Sequence, residues 1–374
     1  MVETALSEAY DIVIVGAGPA GSSAARAAAQ AGAKVLLMDR RQSIGVPVQC
    51  AELVTQWISR YASFSSRCII QATETMVTHL SDGFSPGKRY EIKSPGYMLD
   101  RSLFDKELVT SAILAGAEIS TGSRAVGLSP EGLLVEQGTR KNGINAKVII
   151  GADGVHSLVA RWAGLTPLKT IVALQYEVVN PRSQQHAEVF FDPDYEGGYA
   201  WFFPKGKTAN VGLGVIPSKT ADLSRLLDRF VDRLAELKGL PTLDRVGRTG
   251  GSVPCEVSGQ TVSKNILLVG DAAGHAHPIT GAGILNAVIG GEIAGRVAAE
   301  AIAKGDLDHL ENYEIEWREA FGGSLSHGAS KRLFLETHWN GPDLSFEDLI
   351  RRTWVTFKEY YADRERKEPP GTKT

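Results

Sequence analysis

The chain has 374 residues, 43% of them hydrophobic, enough to bury the cores of two or three lobes. A formal net charge of −3 leaves no footprint for nucleic acid, and three cysteines in no C-x-x-C pair argue against a disulfide framework, a four-cysteine metal site or an iron–sulfur cluster within the chain. Residues 1–9 lack the basic start and apolar core of a signal peptide, and no uncharged apolar run is long enough to span a bilayer. The expectation is a monomer in a reducing cytoplasm, at most peripheral on the inner membrane face.

In chain order, the first signal is Ile12 to Val15, a short β-branched run that reads as a buried parallel strand. Gly16-Ala17-Gly18-Pro19-Ala20-Gly21 follows, then an alanine-rich helix from Ser22 to Ala31, a break at Gly32, and a second strand, Val35 to Met38. Asp39 and Arg40 close that strand, with the acid at the spacing of about 20 residues expected for a ribose-binding carboxylate. In such a unit Gly16 permits the tight turn, Gly18 admits a pyrophosphate to the helix N-terminus, and Gly21 lets helix and strand pack closely.

Gly45 to Glu52 reads as a loop, and residues 53–96 as short strands and loops leaving the first lobe, with Ser94-Pro95-Gly96 a turn. A helix is expected from Tyr97 onward, capped by Asp100 or Ser102. Val148 to Ile150 is a buried strand running into Gly151-Ala152-Asp153-Gly154. Residues 171–216 alternate as an antiparallel sheet that includes Tyr199-Ala200-Trp201-Phe202-Phe203-Pro204. Leu223 to Leu237 has helical spacing. Ile266 to Val269 is another strand, followed by Gly270-Asp271-Ala272-Ala273-Gly274 and a helix from about Gly283 to Ala303. The tail reads as helical, with Trp354, Phe357, Tyr360 and Tyr361 striping a basic helix that packs on the core or rests on a membrane, and a disordered charged end. The division is a discontinuous nucleotide lobe (1–75, 97–170, 260–305), an inserted sheet lobe (76–96, 171–259) and a helical region (306–374).

Three glycine turns therefore each follow a parallel strand: Gly16 to Gly21, Asp153-Gly154, and Gly270-Asp271. In this order they resemble the glutathione-reductase-type FAD fold of the flavin hydroxylase superfamily. That implies an α/β, Rossmann-like FAD domain with an inserted antiparallel sheet and a C-terminal helical tail. Pro47-Val48-Gln49-Cys50-Ala51-Glu52, Tyr97-x-x-x-Arg101, the Tyr199 to Pro204 segment and Pro278 to Ile284 are similar to motifs of the geranylgeranyl reductases. The chain departs from the commonest pattern at Ala51 and at His275-Ala276-His277.

The resemblance implies FAD held by Gly16, Gly18, Pro19, Ala20, Gly21, Asp39, Arg40, Cys50, Ala51, Arg101, Asp153, Gly154, Gly270, Asp271, Gly281, Ala282, Gly283 and Ile284. It implies reduction of isolated C=C bonds in a prenylated lipid, quinone or pyrophosphate, with electrons from NAD(P)H or ferredoxin. An unactivated alkene needs a hydride donor, a proton source and a dry cavity. Tyr199, Trp201 and Phe203 share one strand face and, with Pro204, are candidates for that cavity. Cys50 is a candidate thiol acid or flavin gate against the usual fate of a buried structural cysteine, and a Cys50–Cys255 redox pair stays open. Glu52 is expected to fix the loop by hydrogen bonds. His275 is a candidate proton donor; with His277 alone it makes no metal site. The rival activities are a flavin monooxygenase, a halogenase (whose W-x-W-x-I-P is not matched at Tyr199 and Phe203) and a non-catalytic FAD-binding prenyl carrier.

Overall fold

In the computed structural model, residues 9–81, 87–130, 132–182, 184–217 and 222–362 are described. β1 (Ala9–Val15), with Ile12, Val13 and Ile14 wholly buried, runs through the first glycine turn into α1 (Pro19–Gln30) and β2 (Val35–Asp39). The chain then makes β3 (Leu53–Thr55), the short α2 (Ile58–Tyr61), β4 (Ile69–Leu80) and β5 (Lys88–Leu99). Next come α3 (Arg101–Leu114), β6 (Glu118–Thr121), β7 (Ser123–Ser129), β8 (Gly132–Gln137), β9 (Arg140–Gly151) and α4 (Leu158–Trp162). β10 (Thr170–Val179), β11 (His186–Phe191), β12 (Tyr199–Lys205), β13 (Thr208–Val215), α5 (Leu223–Leu237) and β14 (Arg245–Pro254) follow. β15 (Val262–Ser263), β16 (Ile266–Leu268), α6 (Ile284–Lys304), α7 (Asn312–Trp317), α8 (Gly323–His338) and α9 (Phe346–Thr353) complete the order.

The first sheet has the order β15-β16-β9-β1-β2-β6, with the β7–β8 hairpin attached to β9. β16, β9, β1, β2 and β6 are parallel. Val15 pairs with Met38 and Gly151, and Gly151 with Leu268, so four strands end level. That register brings the three glycine turns to one edge. α1 and α6 pack backbone to backbone on this sheet. A Cβ on Gly291 or Gly295 would lie 2.3 or 2.1 Å from the carbonyl oxygens of Ala20 and Ala24. Tyr313 donates to the Leu268 carbonyl (2.7 Å) and the Trp317 indole to Thr261 Oγ1 (2.8 Å), tying the C-terminal helices to the same core.

The second sheet has the order β14-β10-β13-β12-β11-β4-β5-β3. Its two faces follow the period of two. Ala200, Phe202, Val211, Leu213 and Val215 face Leu227, Phe230 and Leu234 of α5. Trp201 and Phe203, with Tyr199 against them, face Leu335, Leu349 and Ile350 of α8 and α9 and Trp339 and Trp354, which follow directly after those helices.

Several expectations change here. β3 and the start of β4 join the second sheet, where β4 pairs in parallel with β11, whereas the sequence leaves residues up to 75 with the nucleotide lobe. Ser94-Pro95-Gly96 is not a turn. It lies inside β5, opposite a register shift between Thr73 and Thr75, where a proline lacking an N–H is tolerated. Gly96 is needed there because a Cβ would sit 2.8 Å from the Val54 carbonyl oxygen. Tyr97 to Leu99 are therefore strand, and the helix starts at Arg101 with Asp100 as cap, accepting from Leu103 N at 3.1 Å. The late aromatic stripe does not lie on one continuous helix: α9 ends at Thr353, Tyr360 closes a short 3-10 turn (Lys358–Tyr360), and Trp354, Phe357 and Tyr360 turn inward while Tyr361 stays exposed. Residues 363–374, the charged end, lie outside the described residues. Among the described residues no helix is long and apolar enough to cross a membrane.

Candidate functional site

The first glycine turn leaves open space at the N-terminus of α1. A Cβ on Gly16 would lie 2.3 Å from the Ala152 carbonyl oxygen, and one on Gly21 would lie 1.9 Å from that of Gly16; one on Gly18 meets nothing within 4 Å. Two glycines thus serve packing, and the third leaves open space in front of the N-terminus of α1, where free N–H groups and the dipole favour an anion. Asp39 braces this loop: it accepts from Ala17 N (2.9 Å) and Arg41 N (2.8 Å), with lone pairs left for a ribose diol. Arg40 is exposed beside it.

Asp153 is placed differently from expectation. Its carboxylate accepts from Ser157 Oγ (2.5 Å), Leu158 N (2.7 Å) and Val159 N (3.3 Å), so it caps α4 and shapes the Gly154 turn, leaving little capacity for a cofactor. Asp271 has the opposite character: its carboxylate accepts no hydrogen bond from a described residue. Burial raises its pKa, and the Arg101 guanidinium opposes the rise. Gly283, the N-cap of α6, stands beside it; a Cβ there would lie 3.4 Å from Asp271 Oδ1. An open glycine cradle, a diol-ready acid and an unpartnered, half-buried carboxylate along one edge fit the pyrophosphate, ribose and ribityl chain of FAD.

The Cys50 loop lies across this edge from the second sheet. Glu52 adopts φ 67°, is 2% exposed, and accepts from Arg101 N (3.1 Å), Lys205 Nζ (2.6 Å) and Asn210 Nδ2 (3.0 Å). Three partners explain how a buried carboxylate and a left-handed backbone are held. Asn210 also donates to the Ala51 carbonyl (3.1 Å), and Thr249 to that of Val48 (2.8 Å). Gln175 Nε2 donates to the Cys50 carbonyl (2.9 Å), while its Oε1 accepts from the Trp201 indole (3.2 Å). Sequence reasoning missed Gln175, Lys205, Asn210 and Thr249. Two of them carried a signal, since Gln175 and Asn210 interrupt otherwise apolar strand positions.

Cys50 Sγ accepts from Glu52 N at 3.2 Å. Burial pushes its thiol pKa up, and Arg101 pulls part of the shift back. Arg101 itself is clamped to Asp105 by two bonds of 2.8 and 3.0 Å, and its charge acts on both Cys50 and Asp271. All three cysteines are free. Burial raises the Cys255 thiol pKa, and the charges of Arg332 and Lys169 oppose the rise.

Tyr199, Trp201 and Phe203 form a continuous wall, with ring centroids 5.9 and 6.2 Å apart, and Pro204 continues the strand. The Tyr199 hydroxyl, kept protonated by burial, donates to the Thr280 carbonyl at 2.6 Å, joining the wall to the Gly281-Ala282-Gly283 loop and to Ile284 at the start of α6. His277 Nδ1 accepts from Ile279 N and Thr280 N (both 3.3 Å), so Nε2 carries the proton and donates to the Tyr360 hydroxyl at 3.2 Å. His275 does not reach this site. It is wholly buried against Trp317 (4.7 Å) and Phe321 (5.0 Å), neither ring nitrogen has a partner, and burial lowers its pKa to about 3. A neutral imidazole in that packing is no proton donor at neutral pH.

A cleft of about 250 Å³ lies elsewhere, bordered by Arg26, Gln30, Tyr61, Leu108, Ser111 and Glu292, and contains none of the sequence-predicted residues. Convergent chemistry, not cavity size, therefore locates the site.

Residues 11–161 match the FAD dependent oxidoreductase family, and residues 170–245 the geranylgeranyl reductase catalytic domain. The chain is 38% identical over 339 residues to a digeranylgeranylglycerophospholipid reductase of Methanosarcina acetivorans, covering 86% of this chain and 83% of that one. It is 40% identical over 335 residues to digeranylgeranylglycerophospholipid reductase 1 of Methanopyrus kandleri, covering 83% and 87%. A solved geranylgeranyl bacteriochlorophyll reductase-like protein of Thermoplasma acidophilum has a TM-score of 0.83 at 29% identity over 95% of this chain and 99% of that one. The myxobacterial chondrochloren halogenase has a TM-score of 0.73 at 18% identity over 96% and 89%, a likeness of fold alone.

Proposed function

Because the chain belongs to the geranylgeranyl reductase family of FAD-dependent oxidoreductases, we propose that it adds hydrogen across isolated C=C bonds in the geranylgeranyl-type chains of a membrane lipid. Reduced FAD supplies a hydride from its N5 when bound. The Gly16 to Gly21 turn, Asp39 and Asp271 hold its pyrophosphate, ribose and ribityl groups, and the N-terminus of α6 favours negative charge on the cofactor. Tyr199, Trp201 and Phe203 hold the prenyl chain and exclude water. Dry surroundings matter because an unactivated alkene competes poorly with water for a proton.

Cys50 delivers the proton. Its raised pKa keeps Sγ–H protonated at neutral pH, and the sulfur left after transfer faces the Glu52 N–H and the Arg101 guanidinium, which stabilise a thiolate. The observation that carries this reading is the junction of four separated segments: the Cys50 carbonyl and Trp201 meet at Gln175, and Tyr199 bonds Thr280 beside the flavin loop. NAD(P)H binding only transiently, or ferredoxin, serves as electron donor, since no second G-x-G-x-x-G follows a later strand. A peripheral seat on the membrane brings the lipid to the monomer.

The test is mass spectrometry of geranylgeranyl phospholipids after incubation with FAD-loaded, dithionite-reduced protein. A gain of two hydrogens per reduced bond is expected. Unchanged lipid, or oxygen incorporation in its place, rules the reading out.

A further inference from the structure

We propose that Gln175 is a positioning residue that couples the aromatic wall to the Cys50 loop, so that a change at Trp201 is felt at the thiol. The coupling is built across three strands. Gln175 of β10 pairs with Gly212 of β13, and Gly212 pairs with Trp201 of β12. A Cβ on Gly212 would lie 2.5 Å from both Gln175 Cβ and Trp201 Cζ2, so the middle strand leaves a gap that the indole crosses. Trp201 Nε1–H then donates to Gln175 Oε1 (3.2 Å), and Gln175 Nε2–H donates to the Cys50 carbonyl (2.9 Å).

The chemistry of the partners sets the amide's orientation. An indole N–H only donates and a carbonyl only accepts, so oxygen faces Trp201 and nitrogen faces Cys50. Gln175 is 6% exposed and Trp201 7%, which leaves each bond little water to exchange with. The side chains of Asn210 and Thr249 hold the flanking carbonyls of Ala51 and Val48 but make no hydrogen bond to a side chain of the wall. Among the described residues only the Gln175 side chain hydrogen-bonds both an aromatic side chain of the wall and the Cys50 loop. The proposal rests on reading Cys50 and Trp201 as parts of the reaction site.

The test reads the thiol rather than turnover. FAD-loaded protein is alkylated with iodoacetamide, and each cysteine is followed by peptide mass spectrometry, with buried Cys68 and Cys255 as internal references. Q175L removes both bonds; Q175E keeps the acceptor for Trp201 and loses the donor to Cys50. Both quicken Cys50 alkylation by roughly tenfold, the factor for one buried hydrogen bond, and leave Cys68 and Cys255 slow. W201F quickens Cys50 about threefold in the native chain and not at all in Q175L. An unchanged Cys50 rate in both Gln175 variants, or a W201F effect of the same size in Q175L, overturns the coupling. If Q175L also exposes Cys68, W201F in the native chain still decides, since it must quicken Cys50 alone. In turnover, Q175L lowers kcat with KM little changed. If the alkylation pattern holds while the native protein reduces no prenyl lipid, the function fails and the coupling stands.

Discussion

Replacing His275 with leucine separates a structural histidine from a catalytic one. The unfolded imidazole titrates near 6.5, and burial lowers the folded value to about 3. Between those values the unfolded chain binds one proton more than the folded one, so stability rises with pH. The contribution is complete above pH 6.5 and is lost as pH falls toward 3. At pH 5 the native chain has lost 6.5 − 5 pH units of it, about 2 kcal/mol at 1.36 kcal/mol per unit. Leucine is near in volume, and its neighbours Trp317 and Phe321 are apolar. His277, with a folded pKa of about 4, titrates in both proteins and cancels in the comparison. The assay is urea unfolding at pH 8 and pH 5. His275→Leu should lose about 2 kcal/mol less than the native chain between the two pH values, and keep both bound flavin and turnover. An equal pH-dependent loss, or a variant that binds flavin but no longer turns over, refutes the argument.

The two kinds of glycine in the first turn should separate cleanly. Gly18→Val leaves thermal stability nearly unchanged but abolishes the flavin absorbance of reconstituted protein, because its side chain enters the phosphate space; Gly21→Ala unfolds at lower temperature, because its Cβ meets the Gly16 carbonyl. Lys205→Met strands the buried Glu52 carboxylate and should cost about 3–5 kcal/mol in chemical denaturation, partly restored by adding Glu52→Gln. Glu188, whose pKa is held near 2 against the cost of burial by His79 and Lys238, stabilises fully above pH 4.5. That contribution of about 3 kcal/mol disappears as pH falls toward 2, and Glu188→Gln should flatten this part of the stability profile.

Local chemistry made much of this protein legible in its sequence. A β-branched run, glycines at fixed offsets and an acid at the end of the next strand specify the nucleotide unit, since each requirement is met within about thirty residues. The same holds for the period of two that sends Tyr199, Trp201 and Phe203 to one face and Phe202 to the other. It also holds for the cap at Asp100 and for the tight turn at Gly270.

What only the tertiary structure decided depends on partners far apart in the chain. β4 belongs to the second sheet because it pairs with β11, more than a hundred residues later, and its own half-exposed pattern does not announce a partner. His275 and Asp271 share one short turn, yet one enters a core of Trp317 and Phe321 and the other stays unpartnered at the cofactor edge. Asp153 carries the motif's acid but spends it on α4. The Cys50 loop is held by Gln175, Lys205, Asn210 and Thr249, residues that burial brings to it and no spacing rule connects. A pattern of residues states which groups a segment offers; the packing of one lobe against the other determines which of those groups find a partner and which remain free for chemistry.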